Sequence, residues 1–340
     1  MLSFLGTEIL VGRPIIITFA TMKLHIFNPE NDLALADGHP GFTAPASARQ
    51  MRQELYWLPE WWADEGDRVW DGEEPINLQP GDEIVPWGWS PALIHQLRRA
   101  GVDDCFLPSD DEMQRLRALS SRHTAVEALA RLRQDGVAGE WMCGESAVCR
   151  TLDEVNACRE RWPHTLLKAP WSSSGKGLMP DTDPHMEAWA RRIIRQQGSV
   201  VAERWLYKTV DFAMEFRCDG NGGVEYCGLS LFHNTPSGAY VGNWLAPEEV
   251  KRQWLGQYVS LDMVDSICQW WTDYLKAVPY KGPVGVDMLL SREGICPCVE
   301  INWRMTMGMV SVLLAQQGRS GKFMVHYVHE RYAAEIEGFG

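Results

Sequence analysis

Hydrophobic and polar positions alternate along the first third of the chain in a way that predicts strands separated by helices. Four short apolar runs have the length of buried strands: 24–27, 68–70, 83–85 and 102–107. Helices are predicted over 47–57 and 91–100, and Ser90 followed by proline is a favourable start for the second of these. Strands that alternate with helices are typical of a small parallel α/β sheet.

The rest of the chain alternates less regularly. Helical spacing of apolar residues occurs over 110–119, 124–133, 152–161, 184–196, 247–256 and 261–278. Strand patterns occur over 147–149, 165–169, 200–203, 211–218, 224–231, 284–290 and from 298 onward. Asn221-Gly222-Gly223 predicts a hairpin turn, and two further helices are predicted to close the chain.

Composition limits the classes of partner. The chain has 340 residues, 45% of them hydrophobic, which is enough for two or three domains or subdomains. Its formal net charge of -13 argues against nucleic acid as the main partner, because phosphate backbones bind basic surfaces. No stretch is apolar enough to predict a membrane span. Residues 1–21 are apolar but interrupted by Glu8 and Arg13, so we expect a peripheral extension there and not a signal peptide.

Nine cysteines are scattered along the chain without a CxxC pair. Such a set is typical of free thiols in a reducing cytosol, so we expect a cytoplasmic protein. His326 and His329 have the spacing of a metal pair on a helix, but without a further ligand a packing or surface role is the better interpretation. The oligomeric state is left open, a homodimer included.

Polar residues interrupt two neighbouring apolar runs near the C-terminus. If these runs pair as a hairpin through the turn at 291–294, Asp287 lies opposite Glu300 and Asn302. Glu300 and Asn302 are two residues apart and therefore share one face of their strand. Carboxylates that meet in a half-buried place repel each other unless a cation lies between them, and hard oxygen ligands suit Mg²⁺. The pattern predicts a magnesium–nucleotide site.

A serine- and glycine-containing loop follows the strand at 165–169. Its hydroxyls and backbone N–H groups could cradle phosphate, although such a loop alone is more often a surface turn. Lys168 within the preceding apolar run is the stronger indication, because a buried ammonium is costly without an anionic partner. Lys176 is followed by Gly177 and not by Ser or Thr, so the loop is not a Walker A motif, and no GxGxxG follows the first strand.

Two further carboxylates lie near strand ends. Glu203 is in the run Val201 to Leu206, and Asp211 follows eight residues after it. Either side chain could accept hydrogen bonds from a ribose or an adenine amine. An ordinary ion pair is the alternative, and for each residue taken alone it is the favoured one.

Taken in order, these motifs resemble the ATP-grasp superfamily, in particular the D-alanine–D-alanine ligases and their relatives. The corresponding segments are Lys168, Ser172 to Gly177, Glu203-Arg204-Trp205-Leu206, Asp211, Asp287 and Glu300-x-Asn302-x-Arg304. The resemblance covers about 120–320. It implies an α/β fold class, with an N-terminal parallel α/β (pre-ATP-grasp) domain over 22–119 and a two-subdomain α+β ATP-grasp domain over 120–340.

The resemblance also implies roles for individual residues. ATP would be bound by Arg122, Lys168, Ser172, Ser173, Ser174, Gly175, Gly177, Glu203 and Asp211. Mg²⁺, with Mn²⁺ as an alternative, would be bound by Asp287, Glu300 and Asn302, while Arg304 and Lys176 would be catalytic. Two positions depart from the family. Arg122 stands where the family has a lysine on the α-phosphate, and Gly285 stands where peptide ligases have an arginine, which makes Arg304 the candidate contact of the reacting carboxylate.

The implied reaction joins a carboxylic acid to an amine at the expense of ATP, through an acyl-phosphate, with the loop from Ser172 to Gly177 closing over the γ-phosphate. A phosphotransferase acting on a hydroxyl group and a nucleotide-binding module without turnover are the alternatives. The sequence identifies neither the acid nor the amine.

A polar loop, Asn28-Pro29-Glu30-Asn31-Asp32, follows the first predicted strand. Because α/β sheets bind ligands beyond the C-terminal ends of their strands, we expect this loop to face the acid or acceptor substrate, with Trp87 and Trp89 nearby. The alternative is that its Asn and Asp side chains only cap turns and the next helix.

Overall fold

The computed structural model describes residues 21–172, 177–234 and 240–338. The first sheet is parallel, in the order β2-β1-β3, and consists of β1 Lys23–Ile26, β2 Arg68–Val69 and β3 Glu83–Pro86. Its helices are α1 Asn31–Asp37, α2 Ala46–Leu55 and α3 Pro91–Arg99. The Ser90 side chain accepts a hydrogen bond from the Leu93 amide at 3.2 Å, so α3 begins where the sequence predicts.

The strand predicted over 102–107 is wrong. This segment contains a short 3₁₀ helix, Asp104–Phe106. The amide of Phe106 donates to the carbonyl of Asp103 at 3.1 Å, and the Asp104 carboxylate accepts from Arg98 Nε at 2.7 Å. The Phe106 amide and the Asp103 carbonyl are thereby satisfied within the segment, whereas a strand would direct such groups to a neighbouring strand.

The next region is built on a four-stranded antiparallel sheet in the order β4-β7-β5-β6. It is preceded by α4 Asp110–Leu119 and α5 Arg122–Gln134. Its elements in chain order are β4 Ser146–Cys149, α6 Leu152–Arg161, β5 Thr165–Lys168, β6 Leu178–Pro180, α7 Met186–Gln197 and β7 Val200–Arg204. Leu167 and Val200 of the sheet pack with Val155 of α6 and Ala190 of α7 in one small core.

The largest sheet has seven strands in the order β12-β11-β8-β9-β10-β13-β14. Its elements are β8 Lys208–Asp219, β9 Val224–Asn234, β10 Tyr240–Leu245, α8 Glu248–Leu255, α9 Leu261–Lys276, β11 Lys281–Ser291, β12 Gly294–Asn302, α10 Met307–Gln316, β13 Gly321–Val328 and β14 Arg331–Glu337. Phe212, Met214 and Phe216 alternate into the main core, where they meet Trp271 of α9. The turn predicted at Asn221–Gly223 is confirmed between β8 and β9.

The end of the chain differs from prediction. One closing helix, α10, is present, and a β13–β14 hairpin takes the place of the second. Phe323 and Val325 are buried at alternate positions, which is the period of a strand. His326 therefore lies on β13, while His329 is in the hairpin turn with φ of 50°. The two histidines do not share a helix face.

The predicted fold class is confirmed, because a parallel α/β sheet precedes two antiparallel sheets with helices. The predicted domain limits of 22–119 and 120–340 stay a prediction. Most of the predicted extension at 1–21 lies outside the described residues. Within the described part of the chain, no helix combines the length and the hydropathy needed to cross a membrane.

Candidate functional site

β11 and β12 form the expected hairpin, and it brings two carboxylates together. In its register Asp287 lies directly opposite Glu300, and Gly285 lies opposite Asn302. Side chains at directly opposite positions have Cβ atoms about 4.5–5.5 Å apart. Burial, followed by repulsion from Glu300, raises the pKa of Asp287 to about 7. A cation at this place would relieve both effects.

Arg122 reaches Glu300 from the first turn of α5. Its Nη2 donates to Glu300 Oε1 at 2.8 Å, and its Nη1 donates to the Ala169 carbonyl and to Ser172 Oγ, both at 2.7 Å. Among the described residues, Nε of this buried side chain has no hydrogen-bond partner. Burial acts to raise the pKa of Glu300, but Arg122 and then Lys168 outweigh it and lower that pKa. The Glu300 side chain remains 32% exposed, so a ligand can reach it.

Lys168 is the second buried cation. It ends β5, where Leu166 pairs with Glu203 of β7 and Lys168 pairs with Val201. Lys168 and Glu203 therefore project from the same face of the sheet, and Lys168 Nζ lies 2.6 Å from Glu203 Oε2. The Lys168 side chain is only 7% exposed. This is the anionic partner that a lysine in an apolar run requires.

Arg304 is already engaged. Its Nε and Nη2 donate to the two carboxylate oxygens of Asp32 at 2.6 and 2.7 Å. Nη2 also donates to Asn302 Oδ1 at 3.0 Å, and Nη1 donates to the Met305 carbonyl at 2.9 Å. The Asn302 amide nitrogen donates in turn to Asp287 Oδ2 at 3.2 Å. Arg304 thus links the N-terminal sheet's first loop to the β11–β12 hairpin.

The loop Asn28 to Asp32 does face the cleft, through Asp32. α1 starts within this loop without a side-chain cap. Asn28 Nδ2 donates to the Gly88 carbonyl at 2.8 Å. In the amide orientation that satisfies both polar atoms of Asn31, its side-chain nitrogen also donates to the Gly88 carbonyl at 2.8 Å. The asparagines therefore fix the loop against the segment after β3 and do not cap the helix. That the loop meets a substrate stays a prediction.

Trp87 and Trp89 follow β3 close to this loop. Trp87 is 7% exposed and packs edge-on against Phe27, with ring centroids 5.1 Å apart. Trp89 is partly buried and packs both on the main core beside the seven-stranded sheet and on the smaller core at β1. Both contribute to the packing that positions the loop.

A small cleft has Asp32, Arg122, Trp171, Ser172, Glu300 and Arg304 in its walls. Ser172 opens the predicted lid loop and is held by Arg122, while the Gly177 carbonyl accepts from the Ala169 amide at 2.9 Å at the other end. The remaining predicted loop residues, Ser173, Ser174, Gly175 and Lys176, lie outside the described residues.

Asp211 lies at the margin of the site. On β8 it pairs with Leu289, two positions along β11 from Asp287. Its carboxylate accepts from Lys208 Nζ at 2.5 Å and from Asn234 Nδ2 at 3.5 Å. The ion pair favoured by the sequence is thus present, and contact of Asp211 with a nucleotide stays a prediction.

Comparison with known proteins gives matches among solved structures alone. No protein-family model and no curated protein matches the chain. An N5-carboxyaminoimidazole synthetase from Staphylococcus aureus complexed with ADP is 14% identical with a TM-score of 0.47, over 91% of this chain and 83% of that chain. A biotin carboxylase–β,γ-ATP complex from Campylobacter jejuni is 12% identical with a TM-score of 0.49, over 87% and 70%. A D-alanyl-alanine synthetase A from Vibrio cholerae is 16% identical with a TM-score of 0.44, over 89% and 95%.

Each of these three structures has a TM-score below 0.5 and an identity of 16% or less with this chain. TM-scores below 0.5 and such low identities establish nothing about the reaction. The side chains of the chain itself have to support any functional conclusion.

Glu215 belongs to the same polar cluster, and sequence reasoning missed it. It lies on β8 directly opposite Gly285, is 1% exposed, and accepts a hydrogen bond from Thr306 Oγ1 at 2.9 Å. Burial, followed by repulsion from Asp287, raises the pKa of Glu215 to about 8. A charge within the apolar strand 211–218 was the available signal, the same kind that marked Lys168.

Proposed function

We propose that this chain is an ATP-dependent ligase that joins a carboxylic acid to an amine through an acyl-phosphate. The observation that supports this best is the pairing of Arg122 with Glu300 across one cleft, beside the second carboxylate Asp287. Arg122 is hydrogen-bonded to Ser172 and to Glu300, all three line the cleft, and a guanidinium at this place suits an anionic oxygen. Asp287 has its pKa raised towards neutrality, which suits a metal cation.

Arg122 and Lys168 would hold the phosphates of ATP. Each is now neutralised by one carboxylate, Glu300 for Arg122 and Glu203 for Lys168. Glu300 can exchange Arg122 for a metal cation while Arg122 exchanges Glu300 for a phosphate oxygen, so that no buried charge is left unpaired. Ser172, which accepts a hydrogen bond from Arg122, would also contact the phosphates. The loop from Ser172 to Gly177 would cover them, as the sequence predicts.

Asp287 and Glu300 have the hard oxygen atoms that hold Mg²⁺, or Mn²⁺ in its place, and Asn302 is the third predicted ligand. Bound there, the metal would neutralise charge on the phosphates during transfer. The chain's own part would be to present the carboxylates of Asp287 and Glu300 to the metal, with the charges of Arg122 and Lys168 close to Glu300. Such fixed charges stabilise a transition state without reorganising.

The reaction would proceed in two displacements. An oxygen of the substrate carboxylate attacks the γ-phosphorus, the bond to the β-phosphate oxygen breaks, and ADP leaves. The amine nitrogen then attacks the acyl carbon, the carbon–oxygen bond to phosphate breaks, and the nitrogen loses a proton. Arg304 can meet the reacting carboxylate, as predicted, only if Asp32 gives way, because both oxygens of Asp32 lie on its Nε and Nη2 groups.

The test is interception of the acyl-phosphate. The protein is incubated with Mg–ATP, pooled carboxylic acids that include the common amino acids, and hydroxylamine in place of the natural amine. We expect a hydroxamate that depends on ATP and on one component of the pool, with one ADP released for each hydroxamate. A phosphate ester of a hydroxyl compound without any hydroxamate would replace the ligase by a phosphotransferase, and absence of ADP release would contradict both.

A further inference from the structure

Asp32 and Arg304 are joined across 272 residues of sequence by two hydrogen bonds with carboxylate–guanidinium fork geometry. Their side chains are 22% and 18% exposed, so the pair lies at the edge of the cleft and is only partly screened by solvent. Asp32 belongs to α1, whose neighbouring loop is fixed by hydrogen bonds of Asn28 to the Gly88 carbonyl. The guanidinium of Arg304 is therefore held in one orientation by a rigid part of the fold.

The orientation of Arg304 decides that of Asn302. A guanidinium has N–H donors and no acceptor, so the atom of Asn302 that faces Arg304 Nη2 at 3.0 Å has to be the carbonyl oxygen. The amide nitrogen then points to the other side, where it donates to Asp287 Oδ2 at 3.2 Å. Turning the amide over would place two donors against each other at Arg304 and two acceptors against each other at Asp287.

We infer that Asp32 and Arg304 are positioning residues, which lock Asn302 as a hydrogen-bond donor to the metal-binding carboxylate of Asp287. This rests on the proposed function, since Asp287 is taken there as a metal ligand. The N-terminal sheet contributes to the metal site through a chain of three contacts, from Asp32 to Arg304, to Asn302 and to Asp287.

Charge and geometry can be separated by substitution. Arg304→Lys keeps the positive charge but loses the fork on Asp32 and the bond to Asn302. Asp32→Asn removes the negative charge but keeps one acceptor for Arg304, whereas Asp32→Ala removes both. Asp37→Asn, an exposed aspartate at the end of the same helix, is the matched control for charge.

The first measurement is Mn²⁺ affinity by electron paramagnetic resonance of the full chain, with and without ADP. Partners behind a metal ligand commonly change metal affinity by about 10–100-fold, so we expect at least a tenfold loss for Arg304→Lys and for Asp32→Ala. Asp32→Asn should lose less than Asp32→Ala, and Asp37→Asn should match the unsubstituted protein. Unchanged affinity in Arg304→Lys, or equal losses in the two Asp32 variants, would overturn the inference while leaving the metal site in place.

The second measurement needs no metal. In ¹⁵N-labelled protein with chelator, the side-chain NH₂ resonance of Asn302, assigned by its absence from Asn302→Asp, should show slow hydrogen exchange. Exchange should become faster in Arg304→Lys and Asp32→Ala and should not change in Asp37→Asn. Equal exchange in all of them contradicts the positioning role. If the unsubstituted protein binds no Mn²⁺ with or without ADP, the proposed function fails, and the NMR result alone decides whether the lock on Asn302 exists.

Discussion

Two ion pairs with buried cations, Lys168–Glu203 and Arg122–Glu300, differ in how they are anchored. Lys168 and Glu203 lie on adjacent strands of the four-stranded sheet, with Lys168 Nζ 2.6 Å from Glu203 Oε2. This pair is therefore contained within one sheet. Arg122 and Glu300 come from α5 and from the edge strand β12 of the seven-stranded sheet, 2.8 Å apart, so this pair joins two parts of the molecule.

The surroundings of the two glutamates also differ. Glu203 has a cation as its partner, whereas Glu300 has Arg122 on one side and the carboxylate of Asp287 directly opposite. Burial and the neighbouring Glu300 raise the pKa of Asp287, so the cations around these two carboxylates neutralise them incompletely. Under the proposed function, the Arg122–Glu300 pair is the one that would open for a metal–nucleotide complex, while the Lys168–Glu203 pair would remain close to its present geometry.

The largest effect should come from Glu300→Gln. This change leaves the size of the side chain intact and removes one of the two charges that would hold the metal. Losing one preorganised electrostatic contact at a reacting centre commonly costs about 10²–10³ in kcat, and we expect a loss of at least this order in ADP formation. The measurement is steady-state ADP release with Mg–ATP and the substrates found in the hydroxamate screen.

Glu293→Gln is the control for this experiment. Glu293 is in the turn of the same hairpin, 43% exposed and paired with Arg204. It should retain full activity. Undiminished turnover in Glu300→Gln would remove Glu300 from the metal site.

A smaller effect is expected at the Lys168–Glu203 pair. Lys168→Met replaces the ammonium by an apolar group of similar length and leaves Glu203 without its partner. Hydrogen bonds to charged groups contribute about 1.5–3 kcal/mol, so the Kd of a non-hydrolysable ATP analogue should rise roughly 10–100-fold, measured by calorimetry. Glu203→Gln keeps the lysine for the phosphates and should weaken binding much less. Equal losses in the two variants would show that the pair matters for structure and not for phosphate.

Much of the candidate site could be predicted because each signal was local. Lys168 and Asp287 were visible as charges within apolar runs, and the period of a strand alone puts Glu300 and Asn302 on one face. The hairpin that pairs Asp287 with Glu300 is also local, since only a short turn separates its strands.

The missed features depend on contacts between distant parts of the chain. Glu215 enters the cluster because β8 lies beside β11, 62 residues or more away in sequence, and strand order is not encoded by periodicity. Asp32 meets Arg304 only because the N-terminal sheet packs near the end of β12. The orientation of the Asn302 amide follows from Arg304 and could not be predicted from the spacing Glu-x-Asn.

The smallest effect we predict concerns the pH dependence of the free energy of unfolding, and it comes from Glu215. In metal-free protein its folded pKa is raised to about 8 from an ordinary value of 4.5, so between these values the folded state holds a proton that the unfolded state releases. Stability contributed by the protonated carboxyl is complete below about pH 4.5 and is lost as the pH rises through 8. One such proton gives a slope of at most about 1.4 kcal/mol per pH unit.

Glu215→Gln imitates the protonated acid and can still accept from Thr306, so this variant should show a flatter decline in the free energy of unfolding between pH 5.5 and 8.5. Asp287, whose pKa is also raised, will keep part of the slope. The pH slope of the free energy of unfolding is measured by urea unfolding in the presence of chelator. Glu225→Gln, on the exposed face of β9, is the control. If the pH slopes of Glu215→Gln and the unsubstituted protein coincide, Glu215 is ionised in the fold. Glu215, Asp287 and Glu300 would then be three charged carboxylates close together. Such a cluster would require a cation closer to it than Arg122.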